Sequence, residues 1–174
     1  MTAETPGWPD AVFDVLRDAG IAQIAYVPDA GHATLIRRAH AEASMRAVPL
    51  TTEEEGVALL AGAWLGGARG ALLMQSSGVG NCVNMLALAK IGRFPLLALV
   101  TMRGEAGEQN PWQVPMGGAT APAFRLMDVQ VLRADSPDEA APAVRAAIGM
   151  AYAGGTATAV LFGQRLIGAK AFAR

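Results

Sequence analysis

A chain of 174 residues, 52% hydrophobic and 17% charged, holds one packed domain and is too apolar for disorder. A net charge of −1 excludes the basic field that nucleic-acid and anionic-membrane binders use. No apolar run approaches the roughly 20 residues of a membrane helix.

The N-terminus carries Glu4 and Asp10 and no apolar signal-peptide core. A single cysteine, Cys82, leaves no internal disulfide. Together these predict a soluble cytoplasmic protein, with residues 1–174 as one domain. A mean hydropathy of +0.30 is high for a monomer and points to apolar surface covered by a second chain.

In chain order, Trp8 to Ala19 is predicted helical, with Pro9 at a first helical position and Gly20 as its stop. Ile21 to Val27 reads as a buried strand that Pro28 ends. A second helix, Thr34 to Ala43, leads to a short strand, Met45 to Leu50, in which Pro49 marks a sheet edge. Thr51 and Thr52 are placed to cap a helix from Glu53 to Leu65 with an acidic first turn. Ala71 to Gln75 is a strand, Ser76 to Gly80 a tight turn, and Asn81 to Ile91 a helix.

After a strand from Pro95 to Thr101, the glycines and prolines of Met102 to Thr120 predict a loop. A short helix at Ala121 to Met127 and a strand at Val129 to Leu132 follow. Ser136 caps a helix that opens on Pro137 and runs to about Ala153, and Thr156 to Phe162 is the last strand. Strands apolar on both faces, alternating with helices, predict an α/β fold: a mostly parallel sheet flanked by helices on both faces. Ligands of such sheets sit at the strands' carboxyl ends, which are the loops after Val27, Leu50, Gln75 and Thr101.

Three of those loops carry chemistry-bearing residues. Glu53-Glu54-Glu55 is either an acidic first helical turn or a site, in which one carboxyl held off water has a raised pKa and bonds a ring nitrogen. Gln75-Ser76-Ser77-Gly78-Val79-Gly80-Asn81 is either a packing turn or a ligand approach where backbone N–H groups open a helix. It is not a P-loop, and Ser76 and Ser77 form no nucleophile elbow. Val27-Pro28-Asp29-Ala30-Gly31-His32 offers Asp29 and His32, the latter either a surface loop residue or a catalytic one. His40 reads as solvated and Cys82 as a buried structural thiol. No residues have metal-ligand spacing, so no metal site is expected on this chain.

The stretches Val27-Pro28-Asp29, Pro49-Leu50-Thr51-Thr52-Glu53-Glu54-Glu55-Gly56-Val57 and Gln75 to Asn84 resemble, in order and spacing, the alpha subunit of sulfopyruvate decarboxylase. They are also similar to the N-terminal half of phosphonopyruvate decarboxylase. Pro95-Leu96-Leu97, Arg103-Gly104, Glu108, Gln113 and Pro115-Met116-Gly117 continue the likeness over nearly the whole chain.

The resemblance implies a thiamine diphosphate-binding fold and, specifically, its pyrimidine-binding domain. In that family a glutamate bonds N1′ of the aminopyrimidine. It is followed two places on by a small residue and nine and ten places on by a small-aromatic pair. Glu54 meets this with Gly56, Ala63 and Trp64, and so is the implied catalytic residue.

The resemblance further implies Pro28, Ser77, Gly78, Gly80 and Asn81 as cofactor-binding residues. It implies Asp29, His32, Gln75 and Arg103 as substrate-binding, with His32 also catalytic. Arg103 would offer a bidentate fork to a second anionic group. The family's Gly-Asp-Gly motif for diphosphate and Mg2+ is missing. That implies a beta subunit carrying the diphosphate-binding domain, a hetero-oligomer, and no activity for this chain alone.

The implied reaction is decarboxylation of a small 2-oxo acid, 3-sulfopyruvate or 3-phosphonopyruvate. The alternatives are another 2-oxo acid, a carboligase, or a non-catalytic partner domain. Ala30, often Ser in the family, and Thr52, often Arg, are departures that bear on the substrate.

Overall fold

The computed structural model describes residues 7–168, which form an α/β fold built on one six-stranded sheet. The strands are β1 Ile21–Tyr26, β2 Arg46–Pro49, β3 Arg69–Gln75, β4 Leu96–Thr101, β5 Gln130–Ala134 and β6 Ala157–Phe162. They lie in the order β2-β1-β3-β4-β6-β5, and every pairing is parallel. The helices are α1 Trp8–Asp18, α2 Ala33–Ala41, α3 Glu53–Leu65, α4 Val79–Cys82, α5 Leu86–Gly92, α6 Val114–Leu126, α7 Pro137–Ile148 and α8 Gln164–Ile167.

Period-2 alternation sends successive strand residues to opposite faces. Leu73, Leu97, Leu99 and Phe162 pack under α1, α2 and α7, against Val12, Leu16, Leu35 and Val144. Leu72, Met74, Val100 and Leu161 pack under α3 to α6, against Val57, Leu60, Leu86 and Phe124. Both faces of the sheet are therefore covered, as the apolar strands require.

This layering positions the site. The segment leaving β1 passes to α2 on one face, while those leaving β2, β3 and β4 pass to the other. Crevices open on both sides of β1 at its carboxyl end, where a doubly covered sheet takes its ligands.

Several predicted elements differ in the structure. Pro49 does lie on an edge strand, β2. The helix predicted from Asn81 to Ile91 is broken into α4 and α5. Most of the loop predicted from Met102 to Thr120 is loop, but α6 begins at Val114. Pro115 is tolerated because the first helical turn needs no N–H donors there. Gly117 is there for close approach, since a Cβ would collide with the backbone of Gly104. Gly104 itself has φ +80°, the left-handed region that glycine enters freely.

Candidate active site

The acidic turn of α3 is split in its roles. Glu53 points inward and is 9% exposed, Glu54 is half-buried and Glu55 is exposed. Thr52 occupies the N-cap position, but its hydroxyl donates to Glu54 Oε2 at 2.5 Å and not to the helix backbone. Glu55 Oε2 accepts from the Thr51 N–H at 2.9 Å. The Thr52 hydroxyl, then Glu54's own N–H, hold the Glu54 carboxyl below the usual glutamate range. The raised pKa expected of a site carboxylate is therefore absent at Glu54 in this chain, because its hydrogen bonds favour the charged form.

The turn after β3 lies beside α3. Glu53 Oε2 accepts from Asn81 Nδ2 at 2.9 Å. The Glu53 side chain fills the space a Cβ on Gly78 would need, so Gly78 is reserved for this contact and is buried. Gly80 and Asn81 are exposed and Ser77 is half-buried. Ser77 and Asn81 form one wall of an open cleft of about 760 Å³, with Asn110, Pro111, Trp112, Pro115 and Met116 opposite. Cys82, fully buried behind this turn, has its thiol pushed up to about 12 by burial and by the charges of Glu53 and Glu54, as suits an inert structural cysteine.

Asp29 ties three strand ends together. Its Oδ2 accepts from the Gly31 N–H at 3.1 Å and from Thr101 Oγ1 at 2.6 Å, and its Oδ1 from Gln75 Nε2 at 3.2 Å. Gln75 Oε1 in turn accepts from Ser77 Oγ at 2.9 Å. Pro28 is exposed and lines a separate groove with Tyr26, Ile36 and Arg37, away from the Ser77–Asn81 wall. His40 is exposed, as expected, and meets the Tyr26 hydroxyl at 2.8 Å.

Two residues stand otherwise than the sequence suggested. His32 is wholly buried at the end of a 3-10 turn. Its Nε2–H points at the carbonyls of Leu99 (3.0 Å) and Met74 (3.3 Å), and Nδ1 has no partner among the described residues. Burial pushes its pKa below the ordinary histidine value, against the pull of Asp29 and the two carbonyls. His32 fixes the loop after β1 to β3 and β4 and presents no atom to the open edge.

The Arg103 fork is likewise spent: Nε and Nη2 each meet the Glu108 carboxylate at 2.6 Å, with both side chains buried. Glu108 also accepts from the N–H groups of Gly104 and Asn110 and from Gln164 Nε2. Only Nη1 lies outside that fork. With Asp29 and Thr101, Arg103 lines a small cavity of about 160 Å³.

Sequence reasoning missed Thr101, Trp112, Gln164 and the inward turn of Glu53. Only the trio of glutamates signalled that one of them would face inward.

The comparisons with known proteins decide the family. Residues 8–123 match the model described as thiamine pyrophosphate enzyme, N-terminal TPP binding domain. The chain belongs to the thiamine pyrophosphate (thiamine diphosphate) enzymes. Among its relatives in this family is the sulfopyruvate decarboxylase subunit alpha of Methanococcus maripaludis, 34% identical over 132 residues, covering 75% of this chain and 79% of that one. The namesake from Methanocaldococcus jannaschii is 33% identical over 153 residues, covering 87% and 90%.

The phosphonopyruvate decarboxylase of Streptomyces hygroscopicus is 36% identical over 126 residues, covering 71% of this chain but 31% of that longer one. The fold is shared with a structure of 2-oxoglutarate:ferredoxin oxidoreductase from Magnetococcus marinus (TM-score 0.72, 16% identity, 93% of this chain and 29% of that one). Among the described residues, no helix is long and apolar enough to cross a membrane.

The residues of this thiamine enzyme domain fit one end of the cofactor. Glu54, half-buried, stands at the carboxyl edge of the sheet, and Glu53 beside it reaches through Asn81 to a cleft with a polar wall and an apolar one. Such a set suits an aminopyrimidine ring. Among the described residues, no group of three or more His, Cys, Asp or Glu side chains is placed to hold an ion.

Proposed function

We propose that this chain is the alpha, pyrimidine-binding subunit of a cytoplasmic two-chain 2-oxo acid decarboxylase that uses thiamine diphosphate. Its substrate is a small 2-oxo acid with a second anionic group, of the 3-sulfopyruvate or 3-phosphonopyruvate class named in its relatives. The observation that carries the reading is Glu54. The family match covers it, and it is the one member of the trio both open to the edge and backed by a hydroxyl.

Thiamine diphosphate, when bound, supplies the carbanion-stabilising chemistry that loss of carbon dioxide from a 2-oxo acid requires. This chain's part is proton handling and shape. Glu54 Oε2 is held by Thr52, which leaves Oε1 to face a ring nitrogen. When a partner covers the edge and water leaves, desolvation raises the proton affinity of Glu54. Its carboxyl can then hold a proton at Oε1, poised for transfer.

Ser77, Gly80 and Asn81 form the wall against which the ring lies. Asp29 and Gln75 keep that wall and the substrate's approach in register. The diphosphate and its Mg2+ belong to the partner, a beta subunit bearing the diphosphate-binding domain.

The test is a complex of this chain with a partner chain that bears the diphosphate-binding domain. Turnover of sulfopyruvate or phosphonopyruvate is expected, and Glu54→Gln is expected to cut it by about a hundredfold or more without preventing assembly. A complex that turns over pyruvate or a bulky neutral 2-oxo acid faster would overturn the substrate class. A Glu54→Gln complex with wild-type turnover would overturn the role of Glu54.

A further inference from the structure

We propose that Glu53 is a positioning residue, a strut that sets the orientation of the Asn81 amide in the cofactor cleft, and not the proton relay; this rests on the reading of Glu54 above. Glu53 follows β2 and Asn81 follows β3, strands that β1 separates in the sheet. Glu53 reaches across that gap. Its carboxylate lies in the seat left by the missing Cβ of Gly78, and Oε2 takes the Asn81 Nδ2 hydrogen at 2.9 Å.

A carboxylate oxygen only accepts, so it fixes which end of the Asn81 amide turns toward it. Nδ2 faces Glu53, and Oδ1 is left to the cleft that Asn81 lines with Ser77, Trp112 and Met116. Without Glu53 the amide could turn over, and the cleft would lose a defined acceptor.

The same contacts remove Glu53 from the chemistry. Gly78 covers one side of its carboxylate, Asn81 takes Oε2, and the residue is 9% exposed, whereas Glu54 stands half-open one residue further on. The acidic turn thus divides its labour, one carboxylate holding the wall and the next facing the ligand.

The experiment compares Glu53→Ala, Glu53→Gln, Asn81→Ala and the Glu53→Ala/Asn81→Ala double variant in the two-chain complex. Thiamine diphosphate affinity is read by calorimetry with Mg2+ present, and turnover alongside it. Glu53→Ala is expected to weaken thiamine diphosphate binding by about tenfold, and Glu53→Gln, whose amide oxygen can still accept, to restore it to within about threefold. Because Glu53 acts through Asn81, the double variant should bind within about twofold of Glu53→Ala alone.

Additive losses in the double variant would show that the two side chains act independently and would overturn the proposal. So would a Glu53→Gln complex that binds thiamine diphosphate normally but turns over as slowly as Glu54→Gln, since Glu53 would then be the relay. If Glu53→Ala fails to assemble, Glu53→Gln and Asn81→Ala carry the same comparison. A wild-type complex that binds no thiamine diphosphate would instead overturn the site reading, and this proposal with it.

Discussion

Glu54 is held in its charged form by a threonine hydroxyl, and that arrangement can be undone one atom at a time. Thr52→Val removes the donor at Oε2 while keeping the shape. The Glu54 pKa should rise toward the ordinary glutamate value in an NMR titration of the side-chain carboxyls, and an unchanged value would assign the depression elsewhere. The spacing of Glu54, Gly56, Ala63 and Trp64 was legible because the family likeness is a linear pattern. The burial of His32 was not, because two carbonyls from β3 and β4 create it and neither is near in sequence.

His32→Ala should destabilise the fold by about 2–4 kcal/mol, the range for emptying a core site of this size and orphaning its partners. It should also change the pH dependence. The folded pKa of His32 lies below 6.5, so from about pH 6.5 downward the unfolded chain binds the proton and the folded chain does not. Stability therefore falls as pH drops through that window. Urea midpoints measured between pH 7 and pH 5 should lose this slope in His32→Ala, and a slope kept in full would place its origin in another group.

At the scale of elements, local chemistry made the helix from Glu53 to Leu65 readable to the residue, because an acidic first turn and closing glycines bracket it. The start of α6 was hidden because Gly117 and Gly104 look like turn residues; Gly117 is glycine for its contact with the Gly104 backbone, and Gly104 for its left-handed φ and its approach to the Gln113 and Val114 backbone. Alanine is the better helix former, yet Gly117→Ala should destabilise by about 1–3 kcal/mol through that collision. A raised thermal midpoint would mean that α6 can move aside at no cost.

The loop after β4 depends on the Arg103–Glu108 pair. That pair hides Arg103's fork from any substrate and gives Glu108 a pKa well below the carboxylate range. Its contribution is present above the unfolded value of about 4.3 and lost as pH falls below it toward the folded value. Glu108→Gln should cost about 3 kcal/mol at neutral pH, because it leaves a buried guanidinium uncompensated. It should also flatten the acid limb below pH 4. Denaturant unfolding at pH 7 and pH 3 separates the two effects.

At the scale of the whole molecule, the covered parallel sheet followed from strands that are apolar on both faces. The roles of individual side chains did not, since each depends on which loops the strand order 2-1-3-4-6-5 brings together. The apolar surplus of the sequence is visible as exposed Leu65, Ile91, Trp112 and Leu126. The proposed function gives Glu54 and the Ser77–Asn81 wall to the pyrimidine end of thiamine diphosphate and the diphosphate end to a partner chain. That proposal places the cofactor between two chains. Calorimetric titration of thiamine diphosphate with Mg2+ into this chain alone, and into its complex with the diphosphate-binding chain, tests that claim most directly. The isolated chain is expected to bind without tight affinity and the complex to bind stoichiometrically and in a Mg2+-dependent way; tight Mg2+-dependent binding by the isolated chain would overturn the shared site.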